Sequence, residues 1–143
     1  IGKKGLTKKK IEGDKKTPIG KFNLGSLYYR KDRIKEIKTN IKTIEIKKNM
    51  GWCDDVRYPK YYNRLIKRNK NIKHEKLYRK DKKYDLLLPI EYNHSKIITG
   101  KGSCIFLHLT KNYKPTSGCI AIKKKDFLIL LKLINKKNKI KIG

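Results

Sequence analysis

Two segments decide the fold of this chain: Gly102-Ser103-Cys104-Ile105-Phe106-Leu107-His108 and Pro115-Thr116-Ser117-Gly118-Cys119-Ile120. In the first segment a histidine ends an apolar run, and in the second a cysteine follows a glycine and begins another short apolar run. Short apolar runs bounded by glycine and proline are typical of buried β-strands. The two segments therefore predict adjacent strands that bring a thiol and an imidazole together.

The alternation of side chains along the first strand determines which residues share a face. It divides the strand into two sets, namely Cys104, Phe106 and His108 on one face and Ile105, Leu107 and Leu109 on the other. His108 ends the strand, where a loop departs, so we expect its imidazole to reach a cleft. A neighbouring imidazole lowers the pKa of a thiol, which would make Cys119 a nucleophile. Gly118 lets the backbone approach a substrate closely and lets N–H groups face an oxyanion.

Spacing alone leaves two other interpretations of this pair open. In the first, the cysteine and the histidine are simply unrelated residues. In the second, Cys104, His108 and Cys119 bind zinc, although they lack a fourth ligand and the spacing of zinc-binding motifs. The three cysteines cannot all pair within the chain, so at least one thiol is free. We interpret Cys53 and Cys104 as small buried hydrophobic residues.

Lysine dominates the rest of the chain, which carries a formal net charge of +28. Such a charge suggests a nucleic-acid-binding module, in which the nine tyrosines would stack on bases. Only six of the 40 basic residues are arginine, however, and the lysines are spread from Lys3 to Lys141. Lysine, isoleucine and asparagine all have AT-rich codons, so a biased genome explains the composition without a function. The charge still attracts anionic polymers in a salt-dependent manner.

The length of 143 residues predicts one domain, over residues 1–143. No apolar run approaches the roughly 20 residues of a membrane span. Apolar or alternating segments predict further strands over residues 22–29 with an irregularity near Gly25, 43–47, 84–92 and 139–142.

Three other patterns complete the predicted architecture. Apolar residues at helical spacing predict one helix over Asp126–Asn135. Pro89 has no N–H, which favours an edge position or a bulge for its strand. Residues 49–83 are polar and aperiodic, which predicts a long loop region. The fold class is therefore mainly β (α+β), with one helix near the C-terminus.

The segment from His108 to Cys119 resembles the active-site signature of the L,D-transpeptidase catalytic domain, the YkuD-like family. In that family a histidine precedes a Ser/Thr-x-Gly-Cys turn, which here is Thr116-Ser117-Gly118-Cys119. The resemblance covers about Gly5 to Ile142. Other segments similar to the family, or to a short proteobacterial subfamily of it, are Thr17-Pro18-Ile19-Gly20-Lys21-Phe22, Gly51-Trp52-Cys53-Asp54-Asp55, Tyr62-Asn63, Tyr92-Asn93 and Gly100-Lys101-Gly102-Ser103.

The resemblance implies a single β-sandwich or barrel domain that lacks the family's opening strand or strands. The chain also departs from the family pattern at two positions of the turn. Ser117 stands where most members have histidine, and Ala121 stands where most have arginine. The spacing between His108 and Cys119 is shorter than usual, and the choice of acyl acceptor stays open.

The resemblance further implies acyl transfer on peptidoglycan stem peptides, which forms cross-links in the cell wall without a metal or cofactor. Cys119 would be the nucleophile of a thioester intermediate and His108 the general base and acid. The backbone of Gly118 would hold the oxyanion, and the Leu109 carbonyl would orient His108. A carboxypeptidase or endopeptidase of the same family is the alternative. The substrate implies a periplasmic or cell-envelope location, and we expect neither nucleic acid nor a membrane span.

The remaining candidate residues concern substrate binding. We expect Asp54 or Asp55 to receive the ammonium group of the diamino acid, with an Asx-turn or a lysine pair as the alternative. The cleft is expected to be lined by Trp52, Asn63, Tyr92, Asn93, Thr116 and Ser117, although packing or turn formation explains these residue types equally well. His74 and His94 are interpreted as surface residues.

Overall fold

A computed structural model describes residues 1–143, which form twelve short strands and one helix. In chain order these are β1 (Leu6–Thr7), β2 (Thr17–Pro18), β3 (Gly20–Asn23), β4 (Leu27–Tyr29), β5 (Thr43–Glu45), β6 (Met50–Cys53), β7 (Leu65–Lys67), β8 (His74–Lys76), β9 (Leu86–Pro89), β10 (Phe106–Leu109), β11 (Ile120–Ile122), α1 (Lys124–Leu133) and β12 (Lys139–Ile142). The predicted fold class is confirmed, because the domain is mainly β with one helix near its C-terminus.

A five-stranded sheet forms the centre of the domain, in the order β11-β10-β9-β4-β5. β9 pairs antiparallel with β10 and β4, whereas β10 pairs parallel with β11 and β4 pairs parallel with β5. Every residue of β9 and β10 is buried. Burial on both faces matches the apolar sequence of the two strands, in which His108 is the one ionisable residue.

Separate apolar cores cover the two faces of this sheet. Leu107 of β10 packs in the core that contains Phe127 and Leu131 of α1. Phe106, the preceding residue, packs in a second core that contains Trp52. The predicted division of this strand into two faces is therefore confirmed.

Helix α1 begins and ends two residues before the predicted span of Asp126–Asn135. Phe127 and Leu131 lie one turn apart on its buried face, and neither is exposed. Asp126 in the first turn and Lys132 in the last turn match the charges of the helix dipole. The helix has only ten residues, and no helix of this protein has the length and apolar character needed to cross a membrane.

Residues 49–83 do not form the long loop that we predicted from their polarity. They contain a three-stranded antiparallel sheet in the order β7-β6-β8. Each of its strands has only three or four residues, and the outer strands carry charged side chains. Segments this short do not display a period of two, so the pattern was hidden in the sequence.

The edge position predicted for Pro89 is wrong, because β9 is a central strand. The alternative, a bulge, is present beside it: Tyr28 pairs with Leu87 and Leu24 bridges Ile90, which leaves one extra residue on the side of Gly25. The proline is the last residue of the strand. The ladder between β9 and β4 includes only Leu86 and Leu87, so the missing N–H of Pro89 lies beyond it. The Gly25 N–H donates to the Pro89 carbonyl at 2.9 Å. The predicted irregularity near Gly25 is confirmed, since β3 ends before this residue, β4 begins after it, and the two strands belong to different sheets.

Candidate active site

Cys119 and His108 line the same cleft, which has a volume of about 680 Å³. The parallel ladder between β10 and β11 pairs Leu107 with Ile120 and His108 with Ala121. Cys119 directly precedes β11, so it lies diagonally across the ladder from His108. Both side chains face the same side of the sheet because they differ by two positions along this register. The sheet thus brings the thiol and the imidazole to one cleft wall.

Two neighbours fix the orientation of the His108 imidazole. Its Nδ1 lies 2.9 Å from the Leu109 carbonyl oxygen, the contact expected from the sequence. A carbonyl can only accept, so Nδ1 carries the proton and Nε2 is left as the basic nitrogen. The Tyr84 ring packs edge-on against the imidazole, with 5.4 Å between the ring centroids. Burial lowers the pKa of His108, which favours the neutral ring.

The surroundings of Cys119 favour the protonated form of its thiol. Its Sγ donates to the Cys104 carbonyl oxygen at 3.1 Å. Desolvation of the thiol, with a smaller contribution from the Glu75 carboxylate, raises the pKa of Cys119 to about 12. The sequence led us to expect a pKa lowered by the imidazole. In the resting site both groups are instead neutral, because burial disfavours the charged form of each.

The turn before Cys119 uses its backbone differently from our prediction. The Gly118 N–H donates to Thr116 Oγ1 at 3.2 Å, so it is already occupied and does not serve as an oxyanion donor in this arrangement. Thr116 Oγ1 in turn donates to the Cys119 carbonyl at 2.6 Å. The Cys119 N–H has no acceptor within the protein. The N–H of Cys119 is therefore the unpaired backbone donor next to the thiol.

Three residues that the sequence analysis did not select form a cluster in the same cleft. The Tyr84 hydroxyl and Arg79 Nη1 each donate to Glu75 Oε1 at 3.0 Å. Arg79 also pairs with Asp81 through Nε and Nη2, at 2.9 and 2.7 Å. Burial raises the pKa of the Tyr84 phenol well above its ordinary value, so the hydroxyl stays protonated. The i, i+4 spacing of Glu75 and Arg79 was visible in the sequence, but it lay in the segment interpreted as a loop.

The two adjacent aspartates have different surroundings. Asp54 lines the cleft, and its Oδ2 lies 3.3 Å from Lys73 Nζ. Its Oδ1 is buried and has no hydrogen-bond partner. Asp55 is buried outside the cleft lining, where both carboxylate oxygens accept from Arg57 and Oδ2 also accepts from the Lys73 N–H. The Arg57 guanidinium holds the pKa of the Asp55 carboxyl well below its ordinary value. Of this pair, the structure brings only Asp54 to the cleft.

The structure brings Thr116 and Ser117 into the cleft but leaves Trp52, Asn63, Tyr92 and Asn93 outside its lining. The latter four residues instead brace the chain behind it. Asn63 Oδ1 accepts from Trp52 Nε1 at 3.0 Å and from the Cys104 N–H at 3.1 Å.

Asn63 also reaches the segment that follows β9. Its Nδ2 donates to the carbonyls of Tyr92 and Asn93 at 3.2 and 2.8 Å. Asn93 Nδ2 donates to the Gly102 carbonyl at 3.0 Å. These bonds hold the segment before β10, where Cys104 has a left-handed φ of 53° and presents its carbonyl to the thiol. Trp52, Asn63 and Tyr92 line a second, smaller cavity of about 190 Å³ rather than the cleft that contains Cys119.

The other cysteines and histidines have simpler surroundings. Cys53 is fully buried, as expected. Cys104 is only partly buried and lines the cleft. His94 is exposed, while His74 is partly buried in β8 with its Nδ1 2.6 Å from the Ile72 carbonyl.

Comparison with known proteins gives one match. The family model of the YkuD L,D-transpeptidase catalytic domain matches residues 1–142, which is essentially the whole chain. No curated protein and no solved structure matches the chain. The family match covers both segments that line the cleft, the strand that ends near His108 and the turn that carries Cys119.

Proposed function

Because this chain belongs to the L,D-transpeptidase catalytic domain family, we propose that it cross-links peptidoglycan stem peptides through a thioester at Cys119. Family membership makes the chain an L,D-transpeptidase-family enzyme with peptidoglycan as its substrate. The thioester, the cross-linking outcome and the residue roles are the proposed part. One observation carries them: Cys119 and His108 share a face of the β10–β11 ladder and open into one cleft.

In the first half-reaction, Cys119 attacks the carbonyl of the third stem residue, a diamino acid. His108 Nε2 accepts the thiol proton as the bond between sulfur and carbon forms. The Cys119 N–H donates to the oxygen that gains negative charge. Collapse of this intermediate breaks the peptide bond to the fourth residue, D-alanine. His108 returns its proton to the departing amine, and the thioester remains.

In the second half-reaction, an amine of another stem attacks the thioester carbonyl. His108 removes a proton from this amine, and the bond between carbon and sulfur then breaks. The proton returns to the sulfur, so the thiol and the neutral imidazole are restored. Water in place of the amine would give hydrolysis, which is the carboxypeptidase or endopeptidase alternative.

The neutral resting pair supports general-base catalysis rather than a preformed thiolate. The Cys104 carbonyl accepts the thiol hydrogen at 3.1 Å in the resting site. A thiolate at this place would lose its hydration and would face the Cys104 carbonyl oxygen and the Glu75 carboxylate, and the Phe106 N–H offsets this cost only in part. The proton therefore leaves for His108 as the substrate carbonyl arrives, and the thiol exchanges its bond to Cys104 for attack on the substrate.

Substrate contacts follow from the lining of the cleft. Asp54 would accept the ammonium group of the diamino acid at the part of its carboxylate that faces the cleft, where the ammonium would take the place of Lys73. Thr116 and Ser117 would border the acyl group at the nucleophile turn. We propose that the chain acts as a single catalytic domain in the cell envelope, because its substrate lies there.

The test uses purified muropeptides with tetrapeptide stems. The wild-type protein is expected to give dimers whose mass equals that of two stems minus one D-alanine. Cys119→Ala should abolish this product, whereas the matched variant Cys53→Ala should retain it, since Cys53 is fully buried away from the cleft. If the products are tripeptide stems and no dimers, the reaction is hydrolysis rather than cross-linking. A Cys119→Ala variant as active as the wild type would refute the proposal.

A further inference from the structure

The Thr17 side chain joins two distant parts of the chain beneath the nucleophile turn. Thr17 is fully buried in β2. Its Oγ1 accepts from the Gly2 N–H at 2.8 Å and donates to the Gly118 carbonyl at 2.8 Å. Thr17 and Gly118 lie 101 positions apart in sequence. The hydroxyl therefore uses both its donor and its acceptor capacity in one bridge.

The bridge acts on the peptide group that carries the Cys119 N–H. The Gly118 carbonyl and the Cys119 N–H belong to the same planar peptide, and in a trans peptide they point in opposite directions. A hydrogen bond that fixes the carbonyl therefore also fixes the N–H on the opposite side. Since Thr17 holds the carbonyl from the buried side, the N–H is directed away from Thr17.

Close packing prevents this peptide from turning over. Gly118 is buried and has a φ of 142°, a conformation that favours glycine. A Cβ atom at this position would lie 2.9 Å from the Lys16 carbonyl oxygen. The Gly118 backbone thus packs directly against the backbone of Lys16 and Thr17, with no side chain between them.

A second threonine fixes the peptide group on the other side of the nucleophile. Thr116 Oγ1 donates to the Cys119 carbonyl at 2.6 Å. One hydroxyl therefore holds each peptide group that flanks Cys119. Only Thr17 fixes the group whose N–H is free to meet a developing negative charge.

We propose that Thr17 is a positioning residue for acyl transfer: its hydroxyl bridge orients the peptide between Gly118 and Cys119 so that the Cys119 N–H faces the substrate oxygen. This inference rests on the proposed function of Cys119. It predicts that the Thr17 hydroxyl helps to stabilise the oxyanion, which exists only during acyl transfer. A purely structural contact would not have this effect on the transition state.

The experiment compares two reactions of the same thiol. A carbapenem acylates a nucleophilic cysteine through an oxyanion, whereas iodoacetamide alkylates it without one. In Thr17→Val, which keeps the shape but removes the hydroxyl, acylation should slow by about 10²-fold, because such losses follow a misplacement of about 1 Å. Alkylation at pH 9 should stay within about twofold of wild type, since it requires no oxyanion donor. Intact-protein mass spectrometry measures both rates.

Three variants provide the controls. Thr17→Ser restores a hydroxyl and should recover acylation to within about threefold of the wild-type rate. Thr43→Val makes the same change in β5, at the opposite edge of the five-stranded sheet, and should leave both rates unchanged. Ile134→Val removes a methyl group from the buried core and tests whether loss of stability alone slows acylation.

The outcomes separate this inference from the proposed function. Unchanged acylation in Thr17→Val, failure of Thr17→Ser to restore it, or equal loss of acylation and alkylation would each overturn the positioning role. A wild-type protein that the carbapenem fails to acylate would overturn the thioester proposal instead. In that case nuclear magnetic resonance decides the inference: the amide nitrogen shift of Cys119 responds to the hydrogen bond on the preceding Gly118 carbonyl, so it should move in Thr17→Val and return in Thr17→Ser. An unmoved resonance would overturn the positioning role.

Discussion

Alkylation of Cys119 by iodoacetamide is expected to be slow at neutral pH and to accelerate about tenfold with each pH unit up to at least pH 10. The thiolate is the reacting form. Burial raises the pKa of Cys119 from an ordinary value of 9.0 to about 12. The difference, 12 − 9 = 3, means that the thiolate fraction near pH 7 is about 10³-fold below that of an unperturbed thiol.

The rates are measured by digestion and mass spectrometry, so that each cysteine is followed separately. Cys53 is fully buried and should stay unmodified in the folded protein, which makes it the internal control. Denatured protein should show the ordinary pH profile at all three thiols. A Cys119 profile that levels off with a midpoint below pH 9 would refute the reasoning, because it would reveal a preformed thiolate and imidazolium pair.

The same assay distinguishes the two possible roles of His108. With a neutral resting pair, His108→Ala should leave the alkylation profile of Cys119 nearly unchanged. Acyl transfer should nevertheless fall by about 10² to 10⁴-fold, the range of general acid–base catalysis. An alkylation rate that drops together with acyl transfer would show that the imidazole already stabilises a thiolate at rest.

Two further predictions concern stability. Phe127→Ala should lower the free energy of unfolding, measured in urea, by about 3–5 kcal/mol, because it opens a cavity in the core. Leu133 is 74% exposed, so Leu133→Ala should change this free energy by less than about 0.5 kcal/mol. Equal losses in the two variants would contradict the packing described for α1. The lowered pKa of Asp55 contributes stability that is fully present above its unfolded pKa and is lost as the pH falls through its much lower folded pKa. Arg57→Ala should therefore be less stable than wild type at pH 7, and this difference should shrink steadily as the pH falls from 4 to 2; a difference of the same size at pH 7 and pH 2 would assign the effect to something other than this ion pair.

The sequence predicted the strands and the helix whose apolar residues form a clear pattern over a few neighbouring positions. The apolar runs that end at His108 and begin at Cys119 predicted β10 and β11, and both are present. The helical spacing of apolar residues likewise predicted α1 within two residues. The sheet of β6, β7 and β8 was not predicted, because its strands are too short for an alternation of apolar and polar residues to appear.

The site was only partly predictable for a different reason. The type and order of His108, Leu109 and Cys119 are features of the sequence, and the contact between His108 and the Leu109 carbonyl follows from adjacent positions. The occupation of the Gly118 N–H by Thr116 depends on a side-chain conformation, which no sequence pattern records.

A long-range contact and an unpredicted strand account for the rest. Asn63 accepts a hydrogen bond from the Cys104 N–H, 41 positions away in sequence. The sequence does not show this contact, so we predicted that Asn63 lines the cleft, whereas it lies behind the cleft wall. The contacts of Glu75 with Arg79 and Tyr84 span only four and nine positions, so this cluster is local. It was missed because its residues lie in and after β8, a strand too short to be predicted.

The bridge from Gly2 through Thr17 to Gly118 also constrains the order in which reactivity appears. The turn that holds the sulfur takes its final shape only after the opening twenty residues have docked beneath it. A chain in which that docking has not occurred retains a thiol but lacks the means to complete acyl transfer. Covalent capture by an acylating inhibitor is thus a test of maturation, since it reports that the segment around Thr17 has docked on the turn around Gly118.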